Sequence, residues 1–297
     1  MSLRDGFLAL LVVVIWGVNF VVIHIGLIGV PPLLLGALRF LLVALPAIFW
    51  VPRPAIALRW LLAYGLTIGF GQFALLFSAM HLGMPAGLAS LVLQSQMIFT
   101  LLFSALFLGE RWQRHQPLAL GVAVVGLLVL ATQQQGDGIS MAGFVLTLGA
   151  AASWGAGNVV TRQIGKLGSV DLLGLVVWSA LVPPLPFLLF SCWLDGGDRV
   201  WFSVTHLGWQ SLLAILYLAV MATLVGYVLW GKLLQRYPVA QVAPLTLFVP
   251  LVGLLTAALA LGERLSMGQW FGIALVLTGL LINLCWPRLA LYWRRHG

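Results

Sequence analysis

The sequence predicts an all-α integral membrane protein of ten transmembrane helices, arranged as two five-helix repeats of inverted topology. Three observations lead there. Of the 297 residues, 62% are hydrophobic and 7% charged, against roughly 45–50% apolar and about 25% charged in soluble domains. The apolar residues gather into ten runs near the length of a span, which needs about 20 residues. Several residue patterns also recur at one constant offset. A soluble fold is excluded, and no segment remains for a separate soluble catalytic or binding domain.

The spans follow in order. The first, 6–29, carries no small-residue cleavage pattern at its end and is too long for a signal-peptide core. Pro31 and Pro32 open the second, 32–51, since proline suits a first helical turn. The third, 60–82, follows the Pro52-Arg53-Pro54 break, and the fourth, 85–108, opens at Pro85 and closes at Gly109-Glu110-Arg111. The fifth, 115–132, ends at a polar stretch containing Asp137. The second half supplies 141–164, 170–194, 208–235, 238–262 and 267–286. Trp50, Trp60, Trp112, Trp201, Trp209 and Trp286 fall near these ends, where indole rings sit well among lipid headgroups. Membrane lipids are therefore the expected surroundings.

Leu108-Gly109-Glu110-Arg111 recurs as Leu261-Gly262-Glu263-Arg264, 153 residues later. At that offset Tyr64 matches Tyr217, Pro85 matches Pro238 and Gly126 matches Gly279. Upstream the offset is 138, pairing Trp16-Gly17 with Trp154-Gly155 and Pro46 with Pro184. The difference of 15 residues fits the longer loop between Asp195 and His206. This divides the chain into repeats 1–136 and 137–297. Five helices per repeat is an odd number, so the halves face opposite ways across the membrane, the plan of an alternating-access carrier with its solute near the midplane.

Charge placement orients the chain. The net charge of +8 would suggest nucleic acid in a soluble protein. Here Arg4, Arg53, Arg59, Arg111, Arg114, Arg162, Lys166, Lys232, Arg236, Arg288, Arg294 and Arg295 fall on one side, and Arg199 and Arg264 on the other. By the positive-inside rule both termini are cytoplasmic, and nucleic-acid binding is not expected. Cys192 and Cys285 fall near opposite faces, too far apart for a disulfide.

Enzyme signatures are missing: the sequence has no HExxH, GxSxG or phosphate-binding loop. The seven acidic residues all lie in loops or at helix ends, so the membrane core offers no carboxylate pair, and neither metal nor cofactor is expected. An intramembrane enzyme would need a buried nucleophile or acid pair, and a passive channel would show flux that does not saturate. Arg39 is the exception among the charges, lying about 12 Å inside the second helix. A charge that deep must pair or face water. Two readings stand: a contact for a substrate carboxylate, or a brace for backbone carbonyls and glutamines. Asn19, Gln72, Ser90, Gln94, Ser95, Gln96, Thr223, Tyr227 and Thr246 lie at similar depth, as do Trp16, Trp154, Trp178 and Trp230. Asn19, Arg39, Gln72, Gln94, Trp154, Trp178 and Tyr227 form the expected substrate site, because amide groups fix polar ends and rings enclose the uncharged part of a solute. Pro46 and Pro184 are repeat-related hinge candidates. Gly121, Gly126, Gly272 and Gly279 suit close packing of helices five and ten, with each other or at a homodimer contact.

Arg4-Asp5-Gly6, Trp16-Gly17-Val18-Asn19-Phe20, Leu38-Arg39-Phe40, Met84-Pro85-Ala86-Gly87-Leu88-Ala89-Ser90 and the paired Gly-Glu-Arg motifs resemble the EamA family, the ten-helix branch of the drug/metabolite transporter superfamily. The resemblance covers essentially the whole chain. It implies a bacterial inner-membrane exporter of small amino acids or their metabolites, of the cysteine and O-acetylserine type. Exporters of aromatic amino acids, or of uncharged drugs and metabolites, are the alternative. Met97 departs from the pattern, since its repeat partner Pro250 is the family's usual residue.

Overall fold

The computed structural model describes residues 1–133, 140–168, 170–237 and 239–296. The 136/137 boundary, Asp137 and Pro238 lie outside the described residues, as do the side chains of Pro244, Cys285, Arg288, Arg294 and Arg295. Among the described residues the chain is helical throughout, with no strand. Seven helices are long and apolar enough to cross a membrane, and three shorter apolar helices accompany them.

Helix α1, Leu3–Gly26, starts at Ser2, whose hydroxyl accepts from the Asp5 amide at 3.1 Å. Asp5 also fastens this end of the molecule. Its carboxylate accepts from Ser2 Oγ and Tyr237 Oη, each at 2.8 Å, and from Arg236 Nη1 at 3.0 Å. Gly29, at φ 76°, turns the chain into α2, Pro32–Ala47. Helix α3, Leu58–His81, contains a π-helical stretch at Gly65–Gly71. Helix α4, Ala86–Leu108, follows Pro85, tightens into a 3₁₀ turn at Leu93–Ser95 and ends at Gly109 in the left-handed region. Helix α5 is Gln116–Thr132.

Ser140 and Asp171 cap α6, Met141–Gly165, and α7, Leu172–Asp195, each accepting from a backbone amide three residues on. Helix α7 is interrupted between Ser179 and Pro184. The expected 195–206 loop instead contains a helix, α8, Gly197–Thr205. Val200 and Ser203 are buried while Trp201 and Phe202 are exposed, a two-faced pattern suited to the membrane interface. Helix α9, Trp209–Arg236, holds a second π-helical stretch at Tyr217–Val225. Two short pieces, Val239–Val242 and Ala243–Leu247, lead into α10, Phe248–Leu261, which ends at left-handed Gly262. Helix α11, Met267–His296, runs ten residues beyond the expected end at 286.

Helices α5 and α11 pack on each other at backbone distance. A Cβ on Gly126 would lie 2.7 Å from the Val276 nitrogen, and one on Gly279 would lie 2.6 Å from the Ala119 carbonyl. Small residues permit this approach, which supplies dispersion contacts that lipid cannot. The proline expectation needs adjustment. Pro184 opens the second part of α7, but Pro46 lies in the last turn of α2, where little helix follows it to bend.

Candidate functional site

Helices α2, α3, α7 and α9 surround a narrow cavity of about 20 Å³ near mid-length of α2, room for about one water molecule in this conformation. Helix α2 contributes Arg39 and Phe40, and α3 contributes Tyr64, Ile68, Gly69 and Phe73. Val176, Ser179 and Ala180 come from α7 beside its interruption, and Thr223 and Tyr227 from α9. A second crevice, among α4, α5 and α11, is lined mainly by apolar side chains and Asn283, with no charged group.

Arg39 dominates the first cavity. Its side chain is 3% exposed, and Nη2 donates to Thr223 Oγ1 at 2.9 Å. The guanidinium carbon lies 4.0 Å from the centre of the Phe73 ring and 5.5 Å from that of Phe40, within reach of cation–π attraction. Among the described residues, Nε and Nη1 meet no acceptor. Arginine carries one N–H on Nε and two on Nη1, so three donors are open. Among the described residues, no acidic side chain lines the cavity. A buried charge lacking a counter-charge costs several kcal/mol, so an anionic or strongly accepting group beside Arg39 would lower that cost.

The irregular helices decide which residues face it. An α-helix brings i and i+4 to one face, whereas the π stretch in α3 puts Ile68 and Phe73, five apart, on the cavity wall. Gln72 is thereby turned away and stays buried, its Oε1 without a protein partner. In α9 the Thr223 hydroxyl donates to the Leu218 carbonyl, five residues back, at 2.8 Å while it accepts from Arg39.

Of the seven expected site residues, Arg39 and Tyr227 meet at the cavity. Asn19, Gln72, Gln94, Trp154 and Trp178 lie outside its wall. Asn19 is buried in α1 with its Oδ1 unpartnered, and Gln94 is buried in the 3₁₀ turn of α4. Trp154 and Trp178 pack on the apolar cluster behind Tyr64 and Ile68, and Trp178 Nε1 donates to the Val51 carbonyl at 2.9 Å. Trp16 backs Tyr227, ring centres 5.7 Å apart, and ties α1 to α9 through Nε1 and the Ala222 carbonyl at 3.0 Å. Tyr64, Phe73 and Ser179 were absent from the expected set. Tyr64 carried a signal as a repeat match to Tyr217, whereas Phe73 and Ser179 carried none.

The EamA-like transporter family matches residues 6–132 and 141–285. A "Probable amino-acid metabolite efflux pump" of Salmonella typhimurium (strain LT2) is 54% identical over 95% of both chains. A protein of the same name from Escherichia coli (strain K12) is 50% identical over 99% of this chain and 98% of its own. A solved crystal structure, at 19% identity, covers 94% of this chain and 95% of its own with a TM-score of 0.62, a likeness of fold. Helices fit for a membrane and these matches along nearly the whole sequence agree: the chain belongs to the EamA-like transporter family.

Proposed function

We propose that the protein is a bacterial inner-membrane secondary carrier that exports small amino acids or amino-acid metabolites, of the cysteine and O-acetylserine type, by alternating access. The observation that carries this reading is Arg39, buried in the cavity with Nε and Nη1 open for a solute carboxylate. Phe40, Tyr64, Ile68 and Phe73 enclose the uncharged part of the solute, with Tyr227 and Ser179 supplying polar contacts. The printed names of the two enteric relatives support the solute class. Four aromatic side chains in the wall favour a second reading, an exporter of aromatic amino acids.

Counting the three shorter apolar helices as spans gives ten, five in each half, and the Lys/Arg bias supports placing both termini in the cytoplasm. Several features support inverted repeats. The family matches two successive stretches. The π stretches start near Tyr64 and at Tyr217, which are 153 apart, and Gly109 and Gly262, also 153 apart, both end helices at φ 65° and 68°. Gly17 of α1 is crossed closely by Val252 of α10, and Gly155 of α6 by Phe99 of α4, the same crossing at the same offsets. The small faces of α5 and α11 already pack together. A homodimer through these helices would therefore use their outward faces, where Leu118, Leu128, Trp270 and Phe271 are exposed.

The test is uptake of radiolabelled cysteine, O-acetylserine and phenylalanine into proteoliposomes, comparing wild type, Arg39→Ala and protein-free vesicles. Saturable uptake of the first two that Arg39→Ala loses, in folded protein, is the expected result. Uptake of phenylalanine alone selects the second reading, and uptake of none refutes an amino-acid carrier.

A further inference from the structure

Two repeat-related carboxylates hold different partners. Gly109-Glu110 and Gly262-Glu263 close α4 and α10 alike: the Glu110 amide donates to the Ser104 carbonyl at 3.3 Å, and the Glu263 amide to the Ala257 carbonyl at 3.4 Å. Beyond that the likeness stops. The Glu263 carboxylate reaches across to the start of α4, accepting from the Ala86 amide at 2.7 Å and the Gly87 amide at 3.0 Å. Every residue from Ala86 to Gln96 is buried, so this end of the molecule is shut. Glu110 instead pairs with Arg162 of α6, whose Nη1 also donates to Ser104 Oγ at 3.1 Å. Among the described residues the ion pairs are Glu110–Arg162 and Asp5–Arg236, and Glu263 has no cationic partner.

The inverted repeat turns this asymmetry into a prediction about the other state. When such a carrier switches sides, each half takes up the arrangement the other half had. The contacts of Glu110 now are therefore those of Glu263 afterwards. At the offset of 138 the residue equivalent to Arg162 is His24, exposed in the last turn of α1. Helices α1 and α10 already cross as α6 and α4 do, which puts His24 and Glu263 at equivalent ends of equivalent helices. We propose that Glu263 is a latch that exchanges partners, from the Ala86 and Gly87 amides when this face is shut to His24 when it opens. The inference rests on the inverted-repeat carrier reading. It concerns the moving parts and requires no particular solute.

The test measures opening directly. In a background lacking both native cysteines (Cys192→Ser, Cys285→Ser), Met84→Cys reports this end, because Met84 is 2% exposed just before α4. A membrane-impermeant maleimide is applied to sealed vesicles on the face opposite the termini. His24→Arg copies the other repeat and is expected to speed labelling about tenfold, while His24→Ala slows it. Neither change disturbs a buried site. Both effects must vanish when Glu263→Gln is also present, since the partner is then gone. Equal labelling across the His24 variants overturns the latch, and so does a His24→Arg effect that survives Glu263→Gln. Loss of uptake by Arg39→Ala is a separate readout, so either reading can fail alone.

Discussion

Replacing Arg39 by methionine separates the two roles that its depth allows. A structural brace and a solute contact predict opposite changes in stability. The substitution removes one hydrogen bond from a charged donor, Nη2 to Thr223, worth about 1.5–3 kcal/mol. It also removes cation–π contact with Phe73 and Phe40, worth about 1–2 kcal/mol in a dry setting. Against these stands relief of burying a charge without a counter-charge, several kcal/mol in effective terms. Methionine nearly fills the same space, so little cavity penalty arises. The balance lies near zero or slightly in favour of the variant. Arg39→Met should therefore melt within about 2 °C of wild type, or above it, while losing uptake of carboxylate-bearing solutes. The assay is thermal denaturation in detergent followed by size-exclusion chromatography, beside the proteoliposome flux. A melting point lower by more than about 5 °C would refute the reasoning and make the arginine a brace.

Thr223→Val should cost about 2 kcal/mol, read from the same melting assay, because it strips Arg39 of its hydroxyl acceptor and leaves the cation buried. Gly126→Val should lower the melting point by several degrees, since the new Cβ would press on the backbone of α11 at Val276. Its solute KM should stay at the wild-type value, because the α5–α11 contact lies away from the cavity. Deleting Leu66 from the π stretch of α3 should leave helix content by circular dichroism unchanged and abolish uptake, because the following residues rotate and Phe73 leaves the wall. Trp178→Phe leaves a smaller aromatic ring in place and loses the bond to the Val51 carbonyl, so a stability loss of at least about 1 kcal/mol with unchanged KM is expected.

The elements most legible in the sequence were those fixed by local chemistry. Pro31-Pro32, Pro85, Ser140 and Asp171 mark helix starts, and Gly109 and Gly262 mark ends, because each satisfies or removes a backbone group at a terminus. Arg39 stood out because no other charge lies so deep. Gln72 and Phe73 show where this reasoning stops. Projecting a regular 3.6-residue period through α3 turns Gln72 inward, and one extra residue in the turn reverses the assignment. Helix α8 was hidden by its short length, by Gly196 before it and by Gly197 at its first position. The Asp5 cluster was hidden because its partners, Arg236 and Tyr237, lie more than 230 residues away.

The irregular backbone lies where the bilayer can tolerate it. A spanning helix must satisfy its polar groups internally, so departures from α geometry belong beside a protein-enclosed cavity. Three of the four helices around Arg39 depart from it: α3 and α9 through π stretches, and α7 through its break before Pro184. Side chains then take up carbonyls in and around the π stretches. Thr67 donates to the Ala63 carbonyl at 2.6 Å, Ser153 of α6 to the Thr67 carbonyl at 2.8 Å, and Trp16 of α1 to the Ala222 carbonyl. Thr223 does the same for Leu218 while holding Arg39. Trp16 and Ser153 come from α1 and α6, the first helices of the two stretches that the family matches, so each of these helices anchors a π stretch that shapes the cavity. Changing Ser153 or Trp16 should thus alter solute affinity without touching the solute, an effect that a smooth α-helical wall would not transmit.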